Sequence, residues 1–335
     1  MSQFDPNLVN AVIPAPASLA EVVKLAANFA GNARAPATRS AYARDWADFA
    51  GWCKEHGVAA LPAVPGTVAL YLSARAMRLK VSTLERRLAA IIVVHRCHGF
   101  FLTRYDPIFM EIWRGIRRTL GTLKQGKAPL LVADLTAILS SLPESLSGIR
   151  DRAILLTGFA AALRRSEIVA LDVSDVTITG AGMILRVRRG KTDQEGKGSW
   201  RAIPKGANPD TCPVGALKAW IMAAQLSEGP LFRAIDRFGR LGETRLRPAR
   251  IARIVKRAIK SHGCAKCWSR GEIAARQRIF SAHSLRAGLA TSAAAAGVEE
   301  SVIMRQTGHR RRDKVQGYIR LGILFRENAA GRIGL

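Results

Sequence analysis

The chain has 335 residues, 48% of them hydrophobic, and carries 52 Lys or Arg against 25 Asp or Glu, a formal net charge of +27. It can therefore bury a core and is no disordered basic tail, and its length suggests about two domains. The five scattered cysteines (Cys53, Cys97, Cys212, Cys264, Cys267) exclude a secreted disulfide framework, and no apolar run approaches the about 18 residues of a membrane span.

Leu8-Val-Asn-Ala-Val-Ile13 follows no basic residue and is a poor signal peptide, so a cytoplasmic location is expected. The first half then reads as helices. In Ala37 to Trp52, Tyr42, Trp46, Phe49 and Ala50 recur at helical spacing behind a Thr38 or Ser40 cap. Thr67 to Met77, Ser82 to His98 and Pro107 to Leu120 repeat the pattern, the last opening with Asp106-Pro107. Four helices on short loops predict a small bundle, its aromatic residues placed in the core by their spacing. Arg75, Arg78, Lys80, Arg86 and Arg87 crowd the second and third helices; a solvated face and a row of phosphate contacts both account for them.

Gly121 to Pro129 holds two glycines, two lysines and a proline and interrupts helical periodicity, which places a domain boundary there, with 1–124 before it and 125–335 after it. Residues 1–125 carry a net charge of +8 and residues 126–335 carry +19. Both parts are positive, as expected if two domains close on one polyanion, and nucleic acid fits better than a membrane surface because no compact basic amphipathic helix dominates.

Beyond the boundary, Gly148 to Val169 reads as one helix and Met183 to Arg189 alternates like a strand. A loop rich in Gly, Lys and Asp leads to a returning strand, Trp200 to Pro204. Val214 to Ala224, Pro248 to Ser261, Ser284 to Ala296 and Glu299 to Gln306 read as helices. The expected fold is mainly α with a small antiparallel β-sheet: a helical bundle followed by a mixed α/β domain.

The chemistry-bearing residues lie in this second part. Its one tyrosine is Tyr318, and nine positions earlier stands His309 in Thr307-Gly-His309. His283-Ser-Leu-Arg286 puts a histidine and an arginine at i and i+3, on one side of a helix start. Ala162-Leu-Arg-Arg-Ser-Glu-Ile168 ends a long apolar helix, and Lys191 sits in the turn between the two expected strands. Each feature alone has an ordinary structural explanation: a cap, a packed ring, a solvated turn.

In this order and spacing they resemble the tyrosine recombinase (phage integrase) family, from about Leu131 to Tyr318, and the N-terminal part looks like that family's helical core-binding domain. The resemblance implies an active site of two arginines, a hairpin lysine, two histidines and a nucleophilic tyrosine. It assigns these roles to Arg164, Arg286, Lys191 (with Lys197 as a competitor), His283, His309 and Tyr318, with Glu167 orienting the arginine site. The chain departs from the family pattern with Ala162 where Gly is usual, a mild change on this reading, and with Thr307 in place of Leu.

These residue types suit phosphodiester cleavage. Arginines can give bidentate donors to a phosphorane and stay charged at any working pH. Tyr318 would attack phosphorus to form a 3′-phosphotyrosyl link, with His283 taking its proton, His309 donating to a non-bridging oxygen and Lys191 protonating the leaving 5′-oxygen. The sequence has neither a paired-carboxylate constellation for two metals nor a Gly-x-x-x-x-Gly-Lys-Ser/Thr loop, so no cofactor is expected. His262-Gly-Cys-Ala-Lys-Cys267 lacks a second ligand pair, and no metal site is expected there.

The expected activity is site-specific recombination of double-stranded DNA by a homo-tetramer, on the nucleoid of a prokaryote. The apolar run Ile319 to Phe325 would pack on its own domain or, as the family implies, on a neighbouring protomer. Type IB topoisomerase-like relaxation and a catalytically silent DNA-binding protein are the alternatives.

Overall fold

The computed structural model describes residues 18–122, 126–188, 190 and 198–323. The chain divides into two compact units, Met1–Lys124 and Gln125–Leu335. Its fold is mainly helical with small antiparallel sheets, the class expected from the sequence.

The first unit is built of α1 (Leu19–Asn32), α2 (Pro36–Glu55), α3 (Pro65–Ala76), α4 (Val81–Cys97) and α5 (Pro107–Leu120). Proline opens α2, α3 and α5 at a position where the missing N–H has no helical partner to lose. Asp106 caps α5 by accepting from the Phe109 backbone N–H at 2.9 Å. Phe49, Trp52, Tyr71, Leu72, Leu84, Ile91 and Phe109 form the core, so these aromatic rings pack as their spacing suggested. The buried stripe of α2 runs through Asp45, Phe49, Trp52 and Cys53, turned slightly from the expected face: Tyr42 and Ala50 are only half-buried. An aspartate can occupy that stripe because Arg86 meets it with two hydrogen bonds, at 2.7 and 3.0 Å.

The second unit begins with α6 (Val132–Leu139) and α7 (Leu146–Ala160), followed by the short α8 (Arg165–Ala170). The single helix expected from Gly148 to Val169 is thus two. The backbone N–H groups of Ala162 and Leu163 bond back to Phe159 and Gly158, the paired hydrogen bonds that close a helix through a left-handed residue. That residue is Ala162, at φ 50. The alanine that replaces the usual glycine therefore sits where glycine is favoured, and the change, mild for the functional groups, loads the backbone.

β1 (Val176–Ile178), β2 (Gly182–Val187) and β3 (Ser199–Pro204) form an antiparallel sheet in that order, with Leu185 opposite Arg201. Next come α9 (Pro213–Ala223), the small hairpin of β4 (Arg233–Ile235) and β5 (Leu241–Arg245), α10 (Pro248–Ala265) and α11 (Arg270–Ile279). The unit ends with α12 (His283–Ala295), α13 (Glu300–Thr307) and α14 (Arg312–Ile323). The main core gathers Leu155, Leu163, Leu185, Trp220, Ile251 and Leu285.

Alanines and glycines on α12 let the chain approach closely. A Cβ on Gly288 would collide with the Leu130 carbonyl, and one on Gly322 would stand 2.5 Å from the Thr291 oxygen, so α14 lies directly on α12. A small separate cluster of Ala290, Ala294, Ile303 and Val315, with Tyr318, Ile319 and Ile323 against it, holds that pair together. Among the described residues no helix is long and apolar enough to cross a membrane.

Candidate active site

Three helix ends and one helix face bring the site together. The turn after α7 delivers Arg164, whose Nη1 donates to Glu167 Oε1 at 2.5 Å while Glu167 Oε2 accepts from the Arg164 backbone N–H at 2.9 Å. Glu167 is buried and fixes the guanidinium from behind; Arg165, next in sequence, is exposed. The first turn of α12 supplies His283 and Arg286. Arg286 is 1% exposed, and its Nη1 donates to the Ala162 carbonyl at 2.8 Å. Burial, reinforced by the nearby Arg164, pulls its pKa down to about 10, so it remains a cation at neutral pH.

α13 ends at Gly308, whose left-handed backbone turns the chain so that His309 faces Arg286. Arg286 Nη2 lies 3.2 Å from His309 Nε2, and Thr307 Oγ1 lies 2.7 Å from His309 Nδ1. The same hydroxyl stands 2.7 Å from the Ile303 carbonyl, which can only accept. Its single hydrogen goes there, so Nδ1 carries the imidazole proton and Nε2 accepts from Arg286. Burial first, and then Arg286, Arg164 and His283, push the His309 pKa down to about 4, leaving it neutral. In this arrangement His309 Nε2 is an acceptor; to donate to phosphate, the role the resemblance implies, it must bind a proton at Nε2.

Tyr318 projects from α14. Its hydroxyl lies 2.6 Å from His283 Nε2, and its ring centroid lies 6.2 Å from that of His309. Burial raises the Tyr318 pKa and the charge of Arg286 opposes the rise, so the hydroxyl is protonated at rest. The site thus joins Arg164, Glu167, His283, Arg286, His309 and Tyr318. Lys191 and Lys197 lie outside the described residues. Gly190, just before Lys191, borders the arginine pair: a Cβ there would stand 3.0 Å from Glu167 Oε1 and 3.6 Å from Arg164 Nη1.

Sequence reasoning missed two participants. Gln306 donates to the Ala160 carbonyl at 2.7 Å and ties α13 to the end of α7. Arg201, on β3, is buried and lies beside Gly308. Alternation along Trp200 to Pro204 places Arg201 with Ile203 on the inner face, and an arginine in an inward strand position was the available signal.

The basic residues of the first unit separate into two sets. Asp48 accepts from Arg75 Nε at 3.0 Å, from Tyr71 Oη at 2.9 Å and from Arg87. Burial would raise the Asp48 pKa, but these hydrogen bonds outweigh it and hold the carboxyl below its usual range. Burial and the bond to Asp48 push Tyr71 up to about 12. With Arg86 on Asp45, three of the five nominated cations are engaged with carboxylates, whereas Arg78 and Lys80 are exposed and have no carboxylate partner among the described residues. In the second unit, buried His262 has Nδ1 3.1 Å from Ser141 Oγ, while Cys264 and Cys267 are free and exposed. Among the described residues no cluster of three or more His, Cys, Asp or Glu is placed to hold a metal ion.

Residues 130–322 match the phage integrase family, and the chain is 39% identical over 305 residues to an integrase/recombinase XerD homolog of Selenomonas ruminantium, covering 90% of this chain and 86% of that protein. The chain belongs to the phage integrase family. By class this family member is a site-specific recombinase. It is also 26% identical over 290 residues to recombinase Cre of Escherichia phage P1, covering 83% of this chain and 81% of Cre. Two solved structures share the integrase fold at a TM-score of 0.56. XerH bound to its difH substrate is 19% identical and covers 80% of this chain and 72% of that one. A lambda integrase (75–356) dimer bound to a COC' core site is 14% identical and covers 90% and 94%.

Proposed function

We propose that this phage integrase family member binds double-stranded recombination sites, cleaves them through a 3′-phosphotyrosyl intermediate on Tyr318 and rejoins them to a second DNA end. The observation that carries the reading is the 2.6 Å approach of His283 Nε2 to the Tyr318 hydroxyl, beside two guanidiniums held by Glu167 and by the Ala162 carbonyl.

Tyr318 Oη attacks phosphorus as its proton passes to His283 Nε2, a transfer that needs His283 neutral with its own proton on Nδ1. The new Oη–P bond replaces the bond to the 5′-oxygen, which leaves as a hydroxyl after taking a proton from Lys191. Arg164 and Arg286 offset the negative charge that accumulates on the non-bridging oxygens. The phosphotyrosyl ester keeps the free energy of the broken bond, so a 5′-hydroxyl from a second duplex reverses the steps without a nucleotide or a metal ion.

Strand exchange needs more than one protomer, and we assign assembly into a tetramer to the apolar segment after Tyr318. Ile319 and Ile323 pack against α12 of their own chain. Leu324 and Phe325 lie outside the described residues.

Trapping on a nicked suicide duplex tests the chemistry. The wild-type chain should accumulate a covalent protein–DNA adduct, and Tyr318→Phe should form none while binding the duplex within about twofold. Adducts that survive this change assign the nucleophile elsewhere.

A further inference from the structure

Among the described residues, Arg201 differs from three other arginines of its unit, the buried Arg150 and Arg286 and the half-buried Arg164. Arg150 pairs with Asp151 at 2.8 Å, Arg164 pairs with Glu167 at 2.5 Å, and Arg286 has a backbone carbonyl and an imidazole nitrogen. Arg201 is 9% exposed, in an inward position shared along β3 with Ile203, and has no carboxylate partner among the described residues. Among the described residues its one hydrogen bond is from Nη1 to the adjacent Trp200 carbonyl at 2.9 Å, and its buried Nε has no partner there.

Its guanidinium ends at the active site. Nη2 lies against Gly308, where a Cβ would collide with it, so Arg201 abuts the turn between Thr307 and His309. Its charge is felt at the pair behind Arg164: Glu167 stabilises it and Arg164 opposes it, although burial is the largest influence and lowers its pKa. Arg164 and Arg286 are its cationic neighbours, and Glu167 is the one carboxylate among the described residues whose charge acts on it.

An uncompensated buried cation destabilises a folded protein, and an apolar side chain of similar length at the same place does not. Such a charge persists where an incoming anion will complete it. We propose that Arg201 is a positioning residue of the phosphoryl-transfer site, abutting the Gly308–His309 turn and keeping a positive charge, without a carboxylate ion pair among the described residues, that the phosphodiester and its transition state neutralise. The ligand class is a phosphoryl anion on duplex DNA, and the inference rests on the phosphoryl-transfer function proposed above.

The test uses the full chain, with Arg201→Met and Arg201→Lys measured beside the wild type. Thermal midpoints of the free proteins, affinity for a duplex site and the rate of adduct formation on a nicked duplex are compared. Arg201→Met should melt at or above the wild-type temperature and bind DNA within about threefold, yet form adducts about tenfold to a hundredfold more slowly. Arg201→Lys, which keeps the charge, should recover most of that rate. Orthovanadate, a phosphoryl transition-state mimic, should raise the wild-type midpoint and raise that of Arg201→Met less.

Arg201→Met that melts lower, fails to fold, or loses binding and cleavage in parallel overturns the proposal in favour of a packing role. So does Arg201→Met that cleaves at the wild-type rate. A wild-type chain that forms no adduct refutes the parent reading instead, and the two failures are separable because the wild type is measured in the same assay.

Discussion

The Thr307 hydroxyl and His309 Nδ1, 2.7 Å apart, make the tautomer of the imidazole a property of the fold. Thr307 is fully buried, and its own hydrogen is committed to the Ile303 carbonyl, so His309 has no choice of donor atom. The pKa of about 4, against 6.5 for a free histidine, has a consequence for stability. Because the folded value is depressed, this contribution is complete above about pH 6.5 and is lost as pH falls through 4. Unfolding by urea should show a loss of about 1–2 kcal/mol from this group over that window, allowing for its partial exposure. His309→Gln should flatten that part of the profile. A profile unchanged by this substitution would show that His309 is not held neutral.

Ala162 carries a backbone conformation that glycine adopts at less cost. Ala162→Gly should raise stability by about 0.5–1 kcal/mol, the relief at positive φ exceeding the added freedom of the unfolded chain. Adduct formation should stay within about twofold, because the carbonyl that holds Arg286 is unchanged. Ala162→Val should be destabilised instead, since a β-branched side chain tolerates that φ poorly. Chemical denaturation of the three proteins checks the order.

The two sets of basic residues in the first unit should respond differently to mutation. Arg87→Met removes a donor to both Asp48 and Tyr71 and should lower stability by about 1–2 kcal/mol. The double change of Arg78 and Lys80 to Ala should leave stability within about 0.5 kcal/mol and reduce the slope of log affinity against log salt by about two. Equal salt slopes in the double variant and the wild type would remove these two residues from the DNA contacts.

A chain ending at Ile323 separates the two uses of the C-terminal segment. Ile319 and Ile323 remain in place against α12, so folding and binding to one half-site should persist within about threefold. Complexes joining two sites, followed by gel mobility, and the recombinant product should both be lost. Retention of two-site complexes would place the oligomer contacts elsewhere.

Much of the second unit was legible in the sequence because its candidate site residues sit on strongly patterned elements. His283 and Arg286 share the first turn of a helix whose apolar and alanine-rich pattern is plain, and the spacing alone put them on one side. What was hidden lay where tertiary packing overrides local preference. α14 has Gly317 in its interior and Gly322 one residue before its end, a composition that disfavours a helix, and Gly322 lets it lie directly on α12. The break after Ala160 was masked because the left-handed turn residue is alanine, which reads as helix. The pairing of Arg75, Arg86 and Arg87 with Asp45 and Asp48 spans sequence separations that periodicity does not reach.

The carbonyls of the last residue of α7 and of the turn after it are held by the side chains of other helices: Ala160 by Gln306 and Ala162 by Arg286. Both acceptors are main-chain oxygens, present whatever side chain occupies those positions. The alignment of the second arginine is thus insulated from mutational drift at its own acceptor, and any residue that adopts the turn will serve. Evolution can rewrite this corner of the site letter by letter without moving the Arg286 guanidinium.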